Sequence, residues 1–250
     1  MSIWIQLAER GFATDGMIRY GIRKLLQDRL YKIKLELKSQ ADWIDELETS
    51  LLAVDTHAAN EQHYEIPTAY FRTVLGKHLK YSSGLWPIGS ECLDESEAAM
   101  LECTCQRAEL MDGQRILEIG CGWGSLSLWI ATNYPTSKIV AVSNSNSQRE
   151  YIKSQAMKRQ LTNIEVVTCD INNFEPEGGF DRVVSVEMFE HVRNHRALLG
   201  LIADWLNPRG KLFVHIFTHK EHSYLFEAKS AMDWMSQYFF TGGIMPSADL

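Results

Sequence analysis

From Gln114 onward, short apolar runs alternate with segments of helical periodicity, and this alternation constrains the fold more than any other feature of the chain. Residues 115–119 (R-I-L-E-I), 138–143 (K-I-V-A-V-S), 164–170 (I-E-V-V-T-C-D), 180–187 (F-D-R-V-V-S-V-E) and 211–217 (K-L-F-V-H-I-F) read as strands. Residues 126–133, 148–160 and 195–206 read as helices. Strands that are apolar almost throughout, separated by helices, form a parallel sheet covered on both faces. The expected class is therefore α/β. Pro208-Arg209-Gly210 reads as a stop between the last helix and the last strand.

Residues 1 to about 62 read as helical. Ile18, Ile22, Leu25, Leu26, Leu30, Ile33 and Leu37 recur at helical spacing behind Thr14-Asp15, which suits an N-cap. Residues 19–38 hold seven Lys or Arg against two acids, and residues 39–71 hold seven acids and no Lys or Arg. A basic amphipathic helix can meet a membrane surface or lipid headgroups. The preferred reading is a solvated basic face whose apolar stripe docks on a core.

Composition removes several classes. The 250 residues carry a net charge of −7, which argues against a mainly electrostatic nucleic-acid binder. No apolar run reaches the roughly 18 residues that a membrane helix needs. The opening Met1-Ser2-Ile3-Trp4-Ile5-Gln6 lacks the basic and apolar regions of a secretory leader. Cys92, Cys103, Cys105, Cys121 and Cys169 are too few and too scattered for a disulfide framework, so a cytoplasmic setting is expected. His215, His219, Glu221 and His222 do not follow a zinc-ligand spacing, and no metal is expected.

The first strand runs into Leu117-Glu118-Ile119-Gly120-Cys121-Gly122-Trp123-Gly124, a glycine loop before a helix. Glycines at 120, 122 and 124 let backbone approach a ligand at the carboxyl edge of the sheet. A dinucleotide fingerprint would need Gly at position 125 and an acid at the end of the second strand; the chain has Ser125 and Ser143-Asn144-Ser145 there. An acid two residues ahead of glycines at every second position instead resembles motif I of S-adenosylmethionine-dependent methyltransferases. On that resemblance Glu118, Gly120, Cys121, Gly122 and Gly124 hold the amino-acid part of the cofactor. Asn144 and Gln148 follow the second strand and suit ribose hydroxyls. Asp170 and Ile171 follow the third and suit adenine, with helix capping as the alternative for Asp170. Val186 ends the fourth strand beside the same site.

Further segments narrow the resemblance. His63-Tyr64-Glu65-Ile66-Pro67, Lys80-Tyr81-Ser82-Ser83-Gly84-Leu85-Trp86, Leu93-Asp94-Glu95-Ser96-Glu97 and Val186-Glu187-Met188-Phe189-Glu190-His191-Val192 join the glycine loop and 143–148. Together they resemble the cyclopropane-fatty-acid-synthase-like methyltransferases, and within them the coclaurine- and pavine-type N-methyltransferases. The resemblance runs from about residue 14 to the last residue. It implies a Rossmann-like class I methyltransferase sheet with an N-terminal helical extension. Residues 1–78 form the extension and substrate-side segment; residues 79–250 form the cofactor domain. It also implies that the last two of seven strands lie beyond Leu250. Lipid cyclopropane synthases usually carry Cys where this chain has Ser83, and Gly where it has Glu187. The pattern E-x-F-E-H leans toward an amine acceptor. The alternatives are the alkene of a phospholipid acyl chain and a truncated cofactor-binding paralogue without catalysis.

On this reading S-adenosylmethionine is the donor, S-adenosylhomocysteine the product, and a small amine the partner, with a homodimer left open. Displacement at a sulfonium is mostly positioning. An amine must first lose a proton, for which histidine beside a carboxylate is suited. His191 is the expected base, with Glu187 on the substrate ammonium and Glu190 orienting the imidazole. If the segment is helical, Glu187 and His191 at i and i+4 share a face. The resemblance puts Tyr81 and Ser82 on the cofactor carboxylate and Tyr64 and Glu65 at the acceptor. Of the aromatic tail, Phe239 and Phe240 are the first choices to face a cationic substrate.

Overall fold

The computed structural model describes residues 3–35, 38–54, 67–230 and 233–250. Three helices open the chain: α1 (Ile3–Glu9), α2 (Asp15–Leu35) and α3 (Gln40–Glu48). Then follow α4 (Thr68–Val74), α5 (Leu93–Arg107), β1 (Arg115–Ile119), α6 (Ser125–Asn133), β2 (Lys138–Ser143), α7 (Asn146–Lys158), β3 (Ile164–Thr168), β4 (Phe180–Val186), α8 (His195–Trp205) and β5 (Leu206–His215). The tail adds β6 (Tyr224–Leu225), α9 (Trp234–Tyr238) and β7 (Ile244–Met245).

β1 to β5 form one parallel sheet in the order β3-β2-β1-β4-β5, and β6 pairs antiparallel with β7. The period-2 alternation of β1 divides the core. Leu117 and Ile119 join Val183, Leu198, Ile202 and Trp205 on one face, where α8 packs. Ile116 joins Val184, Leu101 and Ile130 on the other, under α5 and α6. The order reverses between β1 and β4, so their carboxyl ends open the crevice in which such sheets hold ligands.

Two expectations are corrected here. Pro208-Arg209-Gly210 does not stop the chain before the last strand; it lies within β5, which starts at Leu206. Arg209 takes φ +72°, and the register slips between Phe180↔Leu206 and Arg182↔Lys211. A bulge of this kind absorbs residues that cannot follow the ladder. Nor does the apolar stripe of α2 dock along its length. Leu25, Arg29 and Ile33 turn inward at helical spacing, whereas Ile18, Ile22, Leu26 and Leu30 stay exposed, Ile22 at 51%. Arg29 occupies the centre of the inward row because its guanidinium sits over the Tyr224 ring at 5.0 Å and 3.8 Å from Asp233. Thr14 caps this helix as expected, its Oγ1 accepting from Met17 N at 3.4 Å. No helix among the described residues is long and apolar enough to cross a membrane.

The N-terminal helices reach the sheet through polar clamps. The capping box of Ser39 and Asp42 starts α3. Its end is held by Asn194 Nδ2, which donates to the carbonyls of Glu48 and Ser50 at 3.0 and 3.2 Å. Asn172 exchanges two 3.2 Å bonds with the backbone of Ala53. These clamps bring residues 48–54 over the loops after β3 and β4.

Candidate active site

The glycine loop leaves β1 by a backbone route that other residues take only at a cost. Gly120, Gly122 and Gly124 all take positive φ, at +79°, +52° and +74°. The amides of Gly120 and Cys121 donate to Val142 O at 3.0 and 2.9 Å, which pins the loop to the end of β2. A Cβ on Gly124 would lie 2.5 Å from Ile152, and one on Gly120 would lie 2.7 Å from Met188; one on Gly122 would meet nothing within 4 Å. Trp123 is buried against Phe71 and Tyr151, so the loop's indole serves packing. Cys121 is buried with its thiol pushed well above the usual range by burial and then by Glu118, so it stays neutral.

Glu118 is fully enclosed behind the loop. Burial pushes its carboxyl up to about 7, against the hydroxyl bond it accepts from Ser127 and the field of Lys80. After β2, Asn144 is half-buried. Gln148 is buried, and its carbonyl accepts from Ser143 Oγ at 2.5 Å, while its Nε2 has no partner among the described residues. After β3, Asp170 caps the 3-10 turn Ile171–Asn173, accepting at Oδ1 from Asn172 N and Nδ2 at 2.8 Å each. The capping alternative for Asp170 is thus present in the structure. Ile171 beside it is half-buried. A loop with open space at Gly122, a buried amide donor on Gln148 and polar groups after β2 and β3 fits an adenosyl cofactor with an amino-acid tail.

Across the crevice, Val186 ends β4 in register with His215. Glu187 then takes φ +51°, left-handed for a residue with a side chain, and its amide donates to His215 O at 2.7 Å. This overturns the helical juxtaposition of Glu187 with His191. The chain reverses at Glu187 and only Phe189–His191 forms a 3-10 turn. The neighbour of Glu187 is His215, with Nε2 3.9 Å from Oε1. Burial lowers His215, and Lys80 and Arg107 add to that against the opposing field of Glu187.

Glu190 is 0% exposed. Its Oε1 accepts from Phe217 N at 3.0 Å, and Oε2 has no partner among the described residues. His191 is half-buried, its ring 5.5 Å from Phe240. Phe240 also meets Phe217, Phe226 and Phe239 at 5.3, 4.9 and 4.8 Å, so Phe239 is tied to the site through its neighbour. The tail is held over this turn by Arg193 Nε, which donates to Gly242 O at 2.9 Å, and by Gly243, where a Cβ would meet Glu190 O at 2.8 Å. Tyr81 stacks edge-on against Phe71 at 5.3 Å, and Ser82 accepts from Lys80 Nζ at 2.6 Å. Tyr64 and Glu65 lie outside the described residues.

Burial pushes the Glu190 carboxyl from its ordinary 4.5 up to about 7, the backbone amides of Phe217 and Glu190 opposing it. The folded state therefore holds a proton there that the unfolded chain releases above about 4.5. Stability carried by this group is present below that pH and is lost as pH rises toward 7. Relative to Glu190→Gln, the wild type should lose on the order of 3 kcal/mol between pH 4.5 and 7, read from denaturant midpoints. A pH-independent difference would mean that Glu190 is ionised in the folded state.

His215 and Lys80 were not among the expected site residues. His215 carries a usable signal: it ends an apolar strand at the sheet edge that also holds the glycine loop. Lys80 adjoins Tyr81-Ser82, but a lysine reads as exposed by default.

Comparison with known proteins identifies the family. The sequence profile of the mycolic acid cyclopropane synthetase family matches residues 53–250. The (S)-coclaurine N-methyltransferase of Thalictrum flavum subsp. glaucum is 37% identical over 247 residues, covering 96% of this chain and 68% of that protein. The cyclopropane-fatty-acyl-phospholipid synthase of Escherichia coli K12 is 30% identical over 75% of this chain and 46% of its own length. A crystal structure of coclaurine N-methyltransferase bound to N-methylheliamine and S-adenosylhomocysteine superposes with a TM-score of 0.89 at 34% identity, covering 98% of this chain and 72% of that one.

Proposed function

The chain belongs to the mycolic acid cyclopropane synthetase family and is an S-adenosylmethionine-dependent methyltransferase, and we propose that it methylates the nitrogen of a small, alkaloid-like amine. The observation that carries the acceptor reading is the abutment of two loops. Met188, the second residue of E-x-F-E-H, has its Cβ and Cγ 2.7 Å from where a Cβ on Gly120 would be. The acidic and imidazole groups after β4 thereby adjoin the cofactor loop, under an aromatic cluster centred on Phe240.

When bound, the cofactor supplies an electrophilic methyl on sulfur. The chain's residues do the rest by position and proton transfer. Glu187 holds the acceptor as its ammonium, and Phe239 and Phe240 offer aromatic faces to the same cation. The ring nitrogen of His191 removes the proton and exposes the lone pair; Glu190, whose Oε2 makes no bond to that ring among the described residues, is the proposed orienting group. Holding that nitrogen in position is what these residues would contribute to the transfer. The setting is cytoplasmic, in keeping with five free cysteines.

The second reading is phospholipid cyclopropanation, favoured by the family profile and opposed by Ser83 and Glu187. Incubation with methyl-labelled S-adenosylmethionine, a panel of cyclic amines and unsaturated phospholipid vesicles separates the two. Label is expected in an amine. Label in lipid alone would establish the second reading, and cofactor binding without transfer to either would favour the non-catalytic paralogue.

A further inference from the structure

Lys80 is 5% exposed, yet no carboxylate of the described residues lies within 4.0 Å of its ammonium. Among the described residues its ammonium makes one hydrogen bond, to Ser82 Oγ at 2.6 Å, which uses one of three donors. A buried cation without a counter-anion is costly, and proteins keep one where an anion completes the site.

The local fold forces Lys80 inward. Glu97 accepts from the amides of Gly76 and His78 at 2.8 and 2.9 Å, and Asp94 from that of Lys77 at 2.7 Å. The turn is thus fixed to the first turns of α5. Leu79 then takes φ +48° and buries against Phe71 and Trp123, the latter a residue of the glycine loop. Left-handed backbone at a leucine costs about 1 kcal/mol, and the clamps on both sides hold it. The result places the next side chain under the loop. There the fields of Glu187, Glu118 and Glu97 all reach its ammonium, opposing the downward pull of burial. None of the three is paired with it, and Glu97 spends both oxygens on the amides of Gly76 and His78. Glu118 spends an oxygen on Ser127, and Glu187 lies beside His215.

We propose that Lys80 is the anchor for the α-carboxylate of the methyl donor, its ammonium and the Ser82 hydroxyl forming one anion site at the head of the glycine loop. The proposal rests on the cofactor reading and adds to it a charged group that pairs with the donor's acid. Its occupant is an amino-acid carboxylate joined to adenosine.

Calorimetry with two ligands tests it: S-adenosylhomocysteine, and S-adenosyl-3-thiopropylamine, the same molecule without its carboxylate. The wild type should prefer the acid by about 30-fold or more, the range of a charged hydrogen-bonded pair. In Lys80→Met that preference should fall to about threefold, with affinity for the amine analogue held. Lys80→Arg should keep most of it. Thermal melting of each variant reports folding, and the wild-type preference is read without any variant. Equal wild-type affinities would overturn the proposal, as would an undiminished preference in Lys80→Met or an equal loss for both ligands. Failure of the wild type to bind either ligand would instead defeat the cofactor reading.

Discussion

Replacing His191 with alanine should lower kcat for methyl transfer by about 10²–10⁴-fold, the range of a lost general base, while S-adenosylhomocysteine affinity stays within about threefold. The separation follows from placement. His191 lies on the 3-10 turn after β4, its ring against Phe240 on the tail. The groups suited to the adenosyl cofactor lie on the glycine loop and after β2 and β3. A variant that removes only the imidazole leaves the Gly120–Val142 tie and the buried Gln148 untouched. Rate by single-turnover transfer and affinity by calorimetry read the two quantities separately. A parallel fall in affinity would mean that His191 supports the cofactor side. An unchanged rate would move the proton to another acceptor, and His215 beside Glu187 is the first to test.

The extent to which this site is legible in sequence depends on how local each determinant is. β1 and β2 are read to the residue because their apolar runs and flanking breakers are contiguous. The glycine loop is equally local: glycines at 120, 122 and 124 are the residues that allow the positive φ found at each. β5 is misread because Pro208-Arg209-Gly210 would end a strand in isolation, whereas pairing with β4 on both sides carries the chain through a bulge. The helix expected from Glu187 to His191 fails for a similar reason. The bond from Glu187 N to His215 O and the left-handed turn are fixed by a partner strand some thirty residues away, which helical spacing cannot see. Lys80 is the extreme case. Its burial is created by Glu97, Phe71 and Trp123 acting together, and nothing in the run Lys80-Tyr81-Ser82 announces it. The α2 stripe errs in the opposite direction, since periodicity reports an apolar face without saying that Arg29 takes part of the inward row.

The glycines of the loop should divide by what excludes their side chains. Gly122→Ala adds a Cβ that meets no protein atom within 4 Å, at φ +52°. Its cost to the fold is the left-handed backbone alone, about 1–2 kcal/mol. Its cost to binding is expected to be far greater, a loss of about 100-fold or more in S-adenosylhomocysteine affinity, because the space that the methyl group enters is where a ligand must approach the backbone. Gly124→Ala has the same backbone strain at φ +74° and in addition drives a Cβ to 2.5 Å from Ile152, a core residue of α7. Overpacking adds about 1–3 kcal/mol, so stability should fall further in Gly124→Ala than in Gly122→Ala. Denaturant midpoints and calorimetric affinities, measured on both variants, give the ordering directly. Stability should rank wild type, Gly122→Ala, Gly124→Ala, and the ratio of affinity lost to stability lost should be larger for Gly122→Ala. If Gly122→Ala bound S-adenosylhomocysteine within about threefold of wild type, the loop would not be the surface that holds the cofactor. Its glycines would then serve only the strand-to-helix turn, for which Gly120 against Met188 and Gly124 against Ile152 already give sufficient reason.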